Sequence, residues 1–408
     1  MSRILRSMLE RSLGQSSVPF SVTFVDGSVY RNSQDEPAFS ITFRRRSAEL
    51  NVLVNHGWGL LESYFNETLD IDGSLVHLIR AADETGPSLA ANSSRRHIPH
   101  PLIRLRNLWH EIRFANRTIG QARRNARFHY NRGTDMFRHY LDTSMTYTCA
   151  YWKEGTGTLD EAQQNKLDHV CRKLRLRPGD RLIDVGGGWG SLLIHACEHY
   201  GVSGTNVSVT PDQNRWMAEE VARRGLTEKI VIEEKDFRQI GGHYDRYVSL
   251  GVVEHAGKGA LKAWIRGMAQ CLNEGGMGLL QFIAHDRAMD TDFFIRKHIF
   301  PGGYLPGLSE VIDLMASFGL EILDIENLRR HYALTLDAWA ANFDGAWQSI
   351  HRLDPQRFDE RFRRIWRTYL HVCAEYFRAD NTILRLYQVT FSKGNTTDYP
   401  MDRGFLYH

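Results

Sequence analysis

The sequence predicts an α/β protein: a doubly wound sheet of about seven strands, preceded by a small α+β N-terminal domain. Three observations predict it. From about residue 160, helical and extended patterns alternate, as they do where crossover helices cover both faces of a parallel sheet. Short apolar runs after residue 180 are bounded by glycine and proline. Upstream, residues 20–54 read instead as strands joined by turns. The boundary is placed between residues 110 and 111, giving domains 1–110 and 111–408.

The N-terminal elements come first. Residues 1–14 suit a short basic amphipathic helix, with Leu5, Met8 and Leu9 on one face, most simply packed on its own domain. "SVTFVDGSVY" carries a DG turn between β-rich runs, and "AFSITFRRRSAELNVL" alternates on both sides of a basic turn. "GLLESYFNETLDIDGSLVHLIRAA" reads as helix, turn, helix. Residues 95–127 form a basic connector with Arg95, Arg96, Arg104, Arg106, Arg113, Arg117, Arg123, Arg124 and Arg127, and only one acid, Glu111. Apolar residues such as Ile98, Leu102, Ile103, Leu105, Leu108, Trp109, Ile112 and Phe114 lie between the arginines. That pattern suits an anionic membrane surface or a phosphate-bearing substrate, and equally a solvated helix face between domains.

In the second domain, Leu167, Val170, Cys171 and Leu174 recur at helical spacing, and Pro178-Gly179 ends that helix. "RLIDV" is the first strand, followed by a glycine-rich loop and the helix "SLLIHACEHY". "GTNVSV" is the second strand. Thr210, Pro211 and Asp212 then supply an N-cap, a proline at the first helical position and an acid in the first turn. "KIVIEE", "YDRYVSLG" and "MGLLQFIAH" are strands three to five, with a glycine-terminated helix, "GALKAWIRGMAQCLNEGG", between the last two. "LEILDIENL" and "LYQVTFSKG" complete the sheet.

Composition excludes some functions. A net charge of +3 over 408 residues gives no case for nucleic-acid binding. The five cysteines are scattered, without CxxC or histidine-rich spacing, which argues against a zinc site or a disulfide framework. No apolar run approaches the ~20 residues that span a bilayer. The first residues lack the apolar core of a signal peptide, so the expectation is a cytoplasmic protein, at most peripheral to the inner face of the membrane. A homodimer is compatible with all of this.

"LIDVGGGWG" is the sharpest local signal. Asp184 ends strand one, and Gly186, Gly188 and Gly190 let backbone approach a ligand at a helix N-terminus. The D-x-G-x-G-x-G spacing resembles the S-adenosylmethionine loop of class I methyltransferases. Four further stretches flank it in order: "HYNRGTDMFRHYLDTSMTYTCAYW", "GVVEHAG", "FIRKHIFPGGYLP" and "LRLYQVTFSKG". Together they resemble the cyclopropane-fatty-acyl-phospholipid synthase family over about residues 128–394, with a trace in "GLLESYF".

That resemblance implies methylation of the double bond of unsaturated phospholipid acyl chains by S-adenosylmethionine. The alkene attacks the methyl group, and a bound bicarbonate removes a proton as the ring closes. It makes the N-terminal domain a lipid- or substrate-associated one, with acyl-binding helical insertions in the second. Tyr147 and Thr148 would hold the methionine carboxylate of the donor; Gly186 and Gly188 would pass its methionine and ribose, with Asp184 orienting the loop or amino group. Ser208, Val209 and Gln213 would serve the ribose, and Asp236 and Phe237 the adenine. Cys149, Glu254, Ile283 (through its backbone) and Tyr332 match positions around the bicarbonate. Each has an ordinary alternative: Cys149 as a small core residue, Glu254 as a structural carboxylate, His255 as a loop anchor, Tyr332 as an unremarkable aromatic.

The sequence departs from the family pattern at Gln281, usually a histidine, and at Gly187, commonly a cysteine and expected to be sterically tolerated. An amide hydrogen-bonds but does not change charge near neutral pH. Strict ring closure and the bicarbonate are therefore in question. The products left open are a methyl-branched or methylene chain, from a simple alkene or from an activated diene or oxygenated chain. A small-molecule N-methyltransferase and a non-catalytic lipid-binding protein are the other readings.

Overall fold

The computed structural model describes residues 1–85, 101–130, 132–286, 291–380, 382 and 384–407, apart from the side chains of 101–104, 106, 107 and 111. Arg95, Arg96 and Ile98 of the basic connector lie outside the described residues, as do the side chains of Leu102, Ile103, Arg104, Arg106 and Glu111. The chain forms two compact units, one of Met1–His100 with Leu336–Ile383, the other of Pro101–Thr335 with Leu384–His408.

The first unit begins with α1 (Ser2–Leu13), which buries Leu5 and Leu9 within the unit. A four-stranded sheet follows, of β1 (Phe20–Thr23), β2 (Val29–Arg31), β3 (Phe39–Phe43) and, after α2 (Arg46–Phe65), β4 (Leu69–Gly73), in the order β2-β1-β3-β4. Two expectations are corrected here. "RRRSAELNVL" opens α2 instead of forming a strand: Ala48 and Val52 are buried four residues apart, a helical interval that outweighs the local alternation. "LDIDG" is strand β4, not a turn, because it pairs antiparallel with β3, from Phe43–Leu69 to Phe39–Gly73. Asp70 is tolerated there through ion pairs with Arg364 and Arg44. Helix α3 (Leu75–Thr85) follows.

The second unit opens with α4 (Pro101–Phe114), α5 (Ile119–Tyr130) and α6 (Thr134–Arg138). Helix α7 (Leu159–Lys173) starts at a capping box, Thr158 accepting from the Glu161 N–H while Glu161 reaches back, a device worth about 1 kcal/mol. Then come β5 (Arg181–Val185), α8 (Ser191–His199), β6 (Ser203–Val207), α9 (Pro211–Arg223), β7 (Ile230–Glu233), β8 (Tyr244–Leu250), α10 (Leu261–Cys271) and β9 (Leu272–His285). Thr210 and Pro211 start α9 as expected, although the Thr210 side chain makes no capping bond. Helix α10 stops at Cys271 and passes straight into β9, so glycine is not its terminator. A π-helical turn, Ile295–Ile299, precedes α11 (Leu308–Ser317) and β10 (Leu320–Asn327). Helix α12 (Arg329–Leu353) begins in this unit, and its residues from Leu336 on belong to the first, with α13 (Glu360–Arg378). The chain then returns as β11 (Leu384–Lys393).

The large sheet has the order β10-β11-β9-β8-β5-β6-β7. Strands β9, β8, β5, β6 and β7 are parallel, while β11 pairs antiparallel with β9 and with β10. The expectation of a parallel sheet is corrected at this edge, because β11 returns from the inserted helices in the opposite sense. Both faces are covered. Leu279 packs with Val170, Leu193 and Met217 on one side, while its neighbours Leu280 and Phe282 pack with Trp264, Ile265 and Met315 on the other. This alternation fixes the register of β9, since a one-residue slip would exchange the two faces. The fold is that of a class I S-adenosylmethionine-dependent methyltransferase.

Candidate active site

A cleft opens at the carboxyl ends of β5, β6 and β8, where doubly wound sheets bind ligands. Its empty space, open solvent included, is about 1060 Å³. All ten residues expected to serve the donor line it: Tyr147, Thr148, Asp184, Gly186, Gly188, Ser208, Val209, Gln213, Asp236 and Phe237. Lys166, Tyr130 and Trp264, which the sequence does not single out, line it too, as does His255, expected as a loop anchor.

Local structure explains the glycine loop. Gly186 has φ +85°, and a Cβ there would lie 2.5 Å from Val252 Cγ2. Its N–H is anchored on the Val207 carbonyl, 2.8 Å away. Gly187 donates to Asn206 Oδ1 at 3.1 Å. A Cβ on Gly187 would come within 2.7 Å of both Asn206 Oδ1 and Asp184 Oδ2. The glycine expected to be tolerated at 187 meets no clash here, and two short polar side chains occupy the space that a cysteine would need.

Electrostatics centre on Asp184 and Lys166. Burial pushes the Asp184 carboxyl up to about 7, against the pull of Lys166. Burial also brings the Lys166 ammonium down to about 8, opposed by Asp142 and Asp184. Lys166 Nζ donates to Thr148 Oγ1 at 3.2 Å, which ties α7 to the segment carrying Tyr147 and Thr148. Asp236 is less available than expected. Its carboxylate accepts from Arg238 Nε at 2.7 Å and from the Arg238 backbone at 3.1 Å. Phe237 is held against Trp264, ring centroids 4.4 Å apart. His255 acts as a loop anchor: its Nε2 meets Tyr130 Oη at 2.9 Å, Asn116 donates to its carbonyl at 2.7 Å, and burial lowers its pKa to about 4.

The five residues expected around the proton acceptor lie outside this cleft lining. The segment after β8 divides between the two places. Gly251, Val252, His255 and Ala256 line the cleft, while Glu254 Oε1 accepts from the Ile283 N–H of β9 at 2.6 Å. The Ile283 backbone thus serves Glu254. Among the described residues, Glu254 Oε2 is buried without a partner, and burial raises the carboxyl to about 7, against the hydrogen bond from Ile283. Gln281 lies two residues earlier, 1 % exposed, its Oε1 accepting from Gln388 Nε2 at 3.0 Å. Cys149 is buried and donates to the Ala150 carbonyl at 3.2 Å. Burial drives its thiol well above the ordinary range, so it is no thiolate nucleophile. It also hydrogen-bonds Thr335, one turn along α12 from the half-buried Tyr332.

The sequence model of the mycolic acid cyclopropane synthetase family matches residues 118–389. The chain belongs to this family. It is an S-adenosylmethionine-dependent methyltransferase of the cyclopropane and fatty acid methyltransferase group. A second match, to a domain of unknown function, covers residues 4–94. A probable fatty acid methyltransferase of Pseudomonas putida is 33% identical over 317 residues, 76% of each chain. The cyclopropane-fatty-acyl-phospholipid synthase of Escherichia coli K12 is 37% identical over 268 residues, 65% of this chain and 67% of that one. Tuberculostearic acid methyltransferase of Mycobacterium tuberculosis is 30% identical over 389 residues, covering 91% and 87%. Among solved structures, a mycolic acid cyclopropane synthase complexed with SAH and CTAB is 31% identical, with TM-score 0.62, over 66% of this chain and 98% of that chain.

Membership sharpens what the Gly187 exchange should do. Gly187→Ala is expected to weaken S-adenosylmethionine binding about five- to tenfold, roughly 1 kcal/mol, by displacing Asp184 and Asn206. Calorimetric titration measures it; unchanged affinity would show that the two side chains move aside freely.

Proposed function

We propose that the protein C-methylates the double bond of an unsaturated acyl chain carried by a phospholipid. One observation carries the reading. The segment after β8 lines the donor cleft through Gly251 and Val252 and, within two residues, commits Glu254 to β9. Relatives named as a fatty acid methyltransferase and a cyclopropane-fatty-acyl-phospholipid synthase support the substrate class.

When bound, S-adenosylmethionine supplies an electrophilic methyl group and bicarbonate a weak base. The residues present suit both. Gly186 and Gly187 form a cradle that any Cβ would fill. Tyr147 and Thr148 would take the donor's carboxylate, Asp184 its ammonium, Ser208, Val209 and Gln213 its ribose, and Asp236 and Phe237 its adenine. For bicarbonate, the unpartnered Glu254 Oε2 would accept a hydroxyl when ionised, and Gln281 would donate to an anionic oxygen. Cys149 and Tyr332 would close the site. Together these side chains exclude water from the carbocation left on the methylated chain and fix where its proton goes.

Gln281 favours a second reading of the product. Ring closure requires loss of a proton from the added methyl group, and an amide cannot take up charge as the family's histidine can. Loss of a proton from the chain itself would leave a methyl-branched alkene, and a 1,2-hydride shift followed by loss of a methyl proton would leave a methylene product.

Helix α4 gives the substrate reading a surface. Leu105, Leu108, Trp109 and Ile112 recur at i, i+3, i+4 and i+7, and each is more than half exposed. Arg113 and Arg117 are exposed close by. This stripe is proposed to rest on an anionic bilayer, making the protein peripheral to the inner membrane face. Replacing Arg113 and Arg117 by glutamine should lower co-sedimentation with anionic vesicles about fivefold per arginine at low salt; unchanged binding would dismiss the surface.

The deciding experiment supplies methyl-labelled S-adenosylmethionine with vesicles of unsaturated phospholipid, then analyses the lipid by mass spectrometry. Label should enter unsaturated lipid and not a fully saturated control. No label across a panel of unsaturated phospholipids, with label entering a soluble amine, would replace this reading by the N-methyltransferase one.

A further inference from the structure

Gln281 does not stand alone in the sheet. Its direct cross-strand partner in the antiparallel β9–β11 pair is Gln388, and both are buried. Gln388 Nε2 donates to Gln281 Oε1 at 3.0 Å. Gln388 Oε1 in turn accepts from Lys173 Nζ at 3.0 Å. Lys173, on the last turn of α7, is itself buried and donates to Glu326 Oε2 at 2.6 Å. Glu326 also meets His169 Nε2 at 2.8 Å and accepts from Tyr151 Oη at 3.3 Å. Burial alone would raise the Glu326 carboxyl, but His169 and Lys173 hold it well below the ordinary range.

The order of donors along this row is set by chemistry. An ammonium only donates. Lys173 therefore fixes the oxygen of Gln388 on its own side, which leaves the Gln388 amide nitrogen facing Gln281. That nitrogen only donates, so Gln281 must present its oxygen to Gln388 and its own NH₂ elsewhere. Gln281 makes its side-chain hydrogen bond through Oε1, which leaves Nε2 as the end turned away from Gln388, and the residue is 1 % exposed. A donor left over at a residue so nearly buried is available to a group that accepts from it. It stands two residues from Ile283, whose N–H holds Glu254 with its unpartnered Oε2.

We propose that Lys173 and Gln388 are positioning residues that commit Gln281 to offering a donor, and not a carbonyl, at the proton-accepting site. The inference rests on the reading of that site given above, and extends it to two residues outside the family's site positions. It gives the histidine-to-glutamine exchange a physical consequence. The row supplies from a distant ammonium the donor polarity that a single neutral amide does not define by itself. The acceptor it fits is an anionic oxygen such as that of bicarbonate.

Gln388→Glu tests it. A carboxylate still accepts from Lys173 but cannot donate to Gln281, so the Gln281 amide turns over and shows its carbonyl to the site. The bicarbonate concentration for half-maximal activity should rise at least tenfold and the ratio of cyclised to uncyclised product should shift, with KM for S-adenosylmethionine unchanged. Gln388→Met, which removes the link without adding charge, should move the same readouts by a smaller factor. It also decides the question should the glutamate variant fail to fold, as judged by donor binding. In a Gln281→Leu background, Gln388→Glu should add no further change. If Gln281→Leu alters bicarbonate dependence while neither Gln388 variant does, the positioning role is overturned and the site reading stands. If Gln281→Leu itself alters nothing, both are overturned.

Discussion

Glu254→Gln is expected to lower kcat by about 10²- to 10⁴-fold while leaving S-adenosylmethionine affinity within about threefold. The amide oxygen of the variant still accepts from the Ile283 N–H, so the 2.6 Å link to β9 survives in kind. What is lost is the unpartnered Oε2 as a carboxylate. The pH dependence follows from the burial that raises this group from 4.5 to about 7. If the ionised form is the working one, wild-type kcat should fall as pH drops below about 7, and the residual rate of the variant should lack that inflection. Stability moves the other way. Between pH 4.5 and about 7 the unfolded chain has released a proton that the folded protein keeps, so Glu254 makes the fold less stable as pH rises through this window. The full shift corresponds to roughly 3 kcal/mol. The glutamine variant should therefore gain thermal stability over wild type at pH 8 and little at pH 5. A variant that retains wild-type kcat would remove Glu254 from the chemistry.

Strands such as β5 and β8 were legible because each is a short, largely apolar run that ends at glycine. The donor cleft was legible because its residues cluster in the loops that end those strands. Lys166 was not: within "EAQQNKLDHV" it looks like one more solvated lysine, and only the packing of α7 on Thr148 buries it. Tyr130 and Trp264 reach the cleft from helices whose sequence patterns report burial and not direction. Strand β4 was hidden because aspartates are poor strand formers, and the arginine Arg364 that secures Asp70 lies far along the chain. The opening of α2 was misjudged because a short alternating run satisfies the strand pattern before the helical interval becomes visible. Gln281 drew attention as a polar residue in a core strand. Its orientation depends on Gln388 and Lys173, on β11 and α7, and no local reading of "GLLQFIAHD" contains that register.

Gly186→Ala is expected to reduce S-adenosylmethionine affinity about 100-fold and to cut activity at ordinary donor concentrations in proportion. Two costs add. A residue with a Cβ at φ +85° pays roughly 1–2 kcal/mol in conformation alone. The Cβ would also lie 2.5 Å from Val252 Cγ2, so either the loop or Val252 must move. Val252 lines the cleft two residues before Glu254, and Gly186 is anchored to Val207, so either movement disturbs a wall of the site. The double variant Gly186→Ala with Val252→Ala separates the costs: it relieves the collision and leaves the backbone strain, so roughly half of the lost binding free energy should return. Gly188→Ala is the internal comparison. Gly188 also has a left-handed backbone, φ +60°, but a Cβ there meets only Gln213 Nε2 at 3.9 Å, an ordinary contact. Its loss should be confined to the conformational cost, about tenfold in affinity by calorimetric titration. Equal losses at 186 and 188 would show that conformation alone makes glycine necessary in this loop, and that close packing against Val252 contributes nothing.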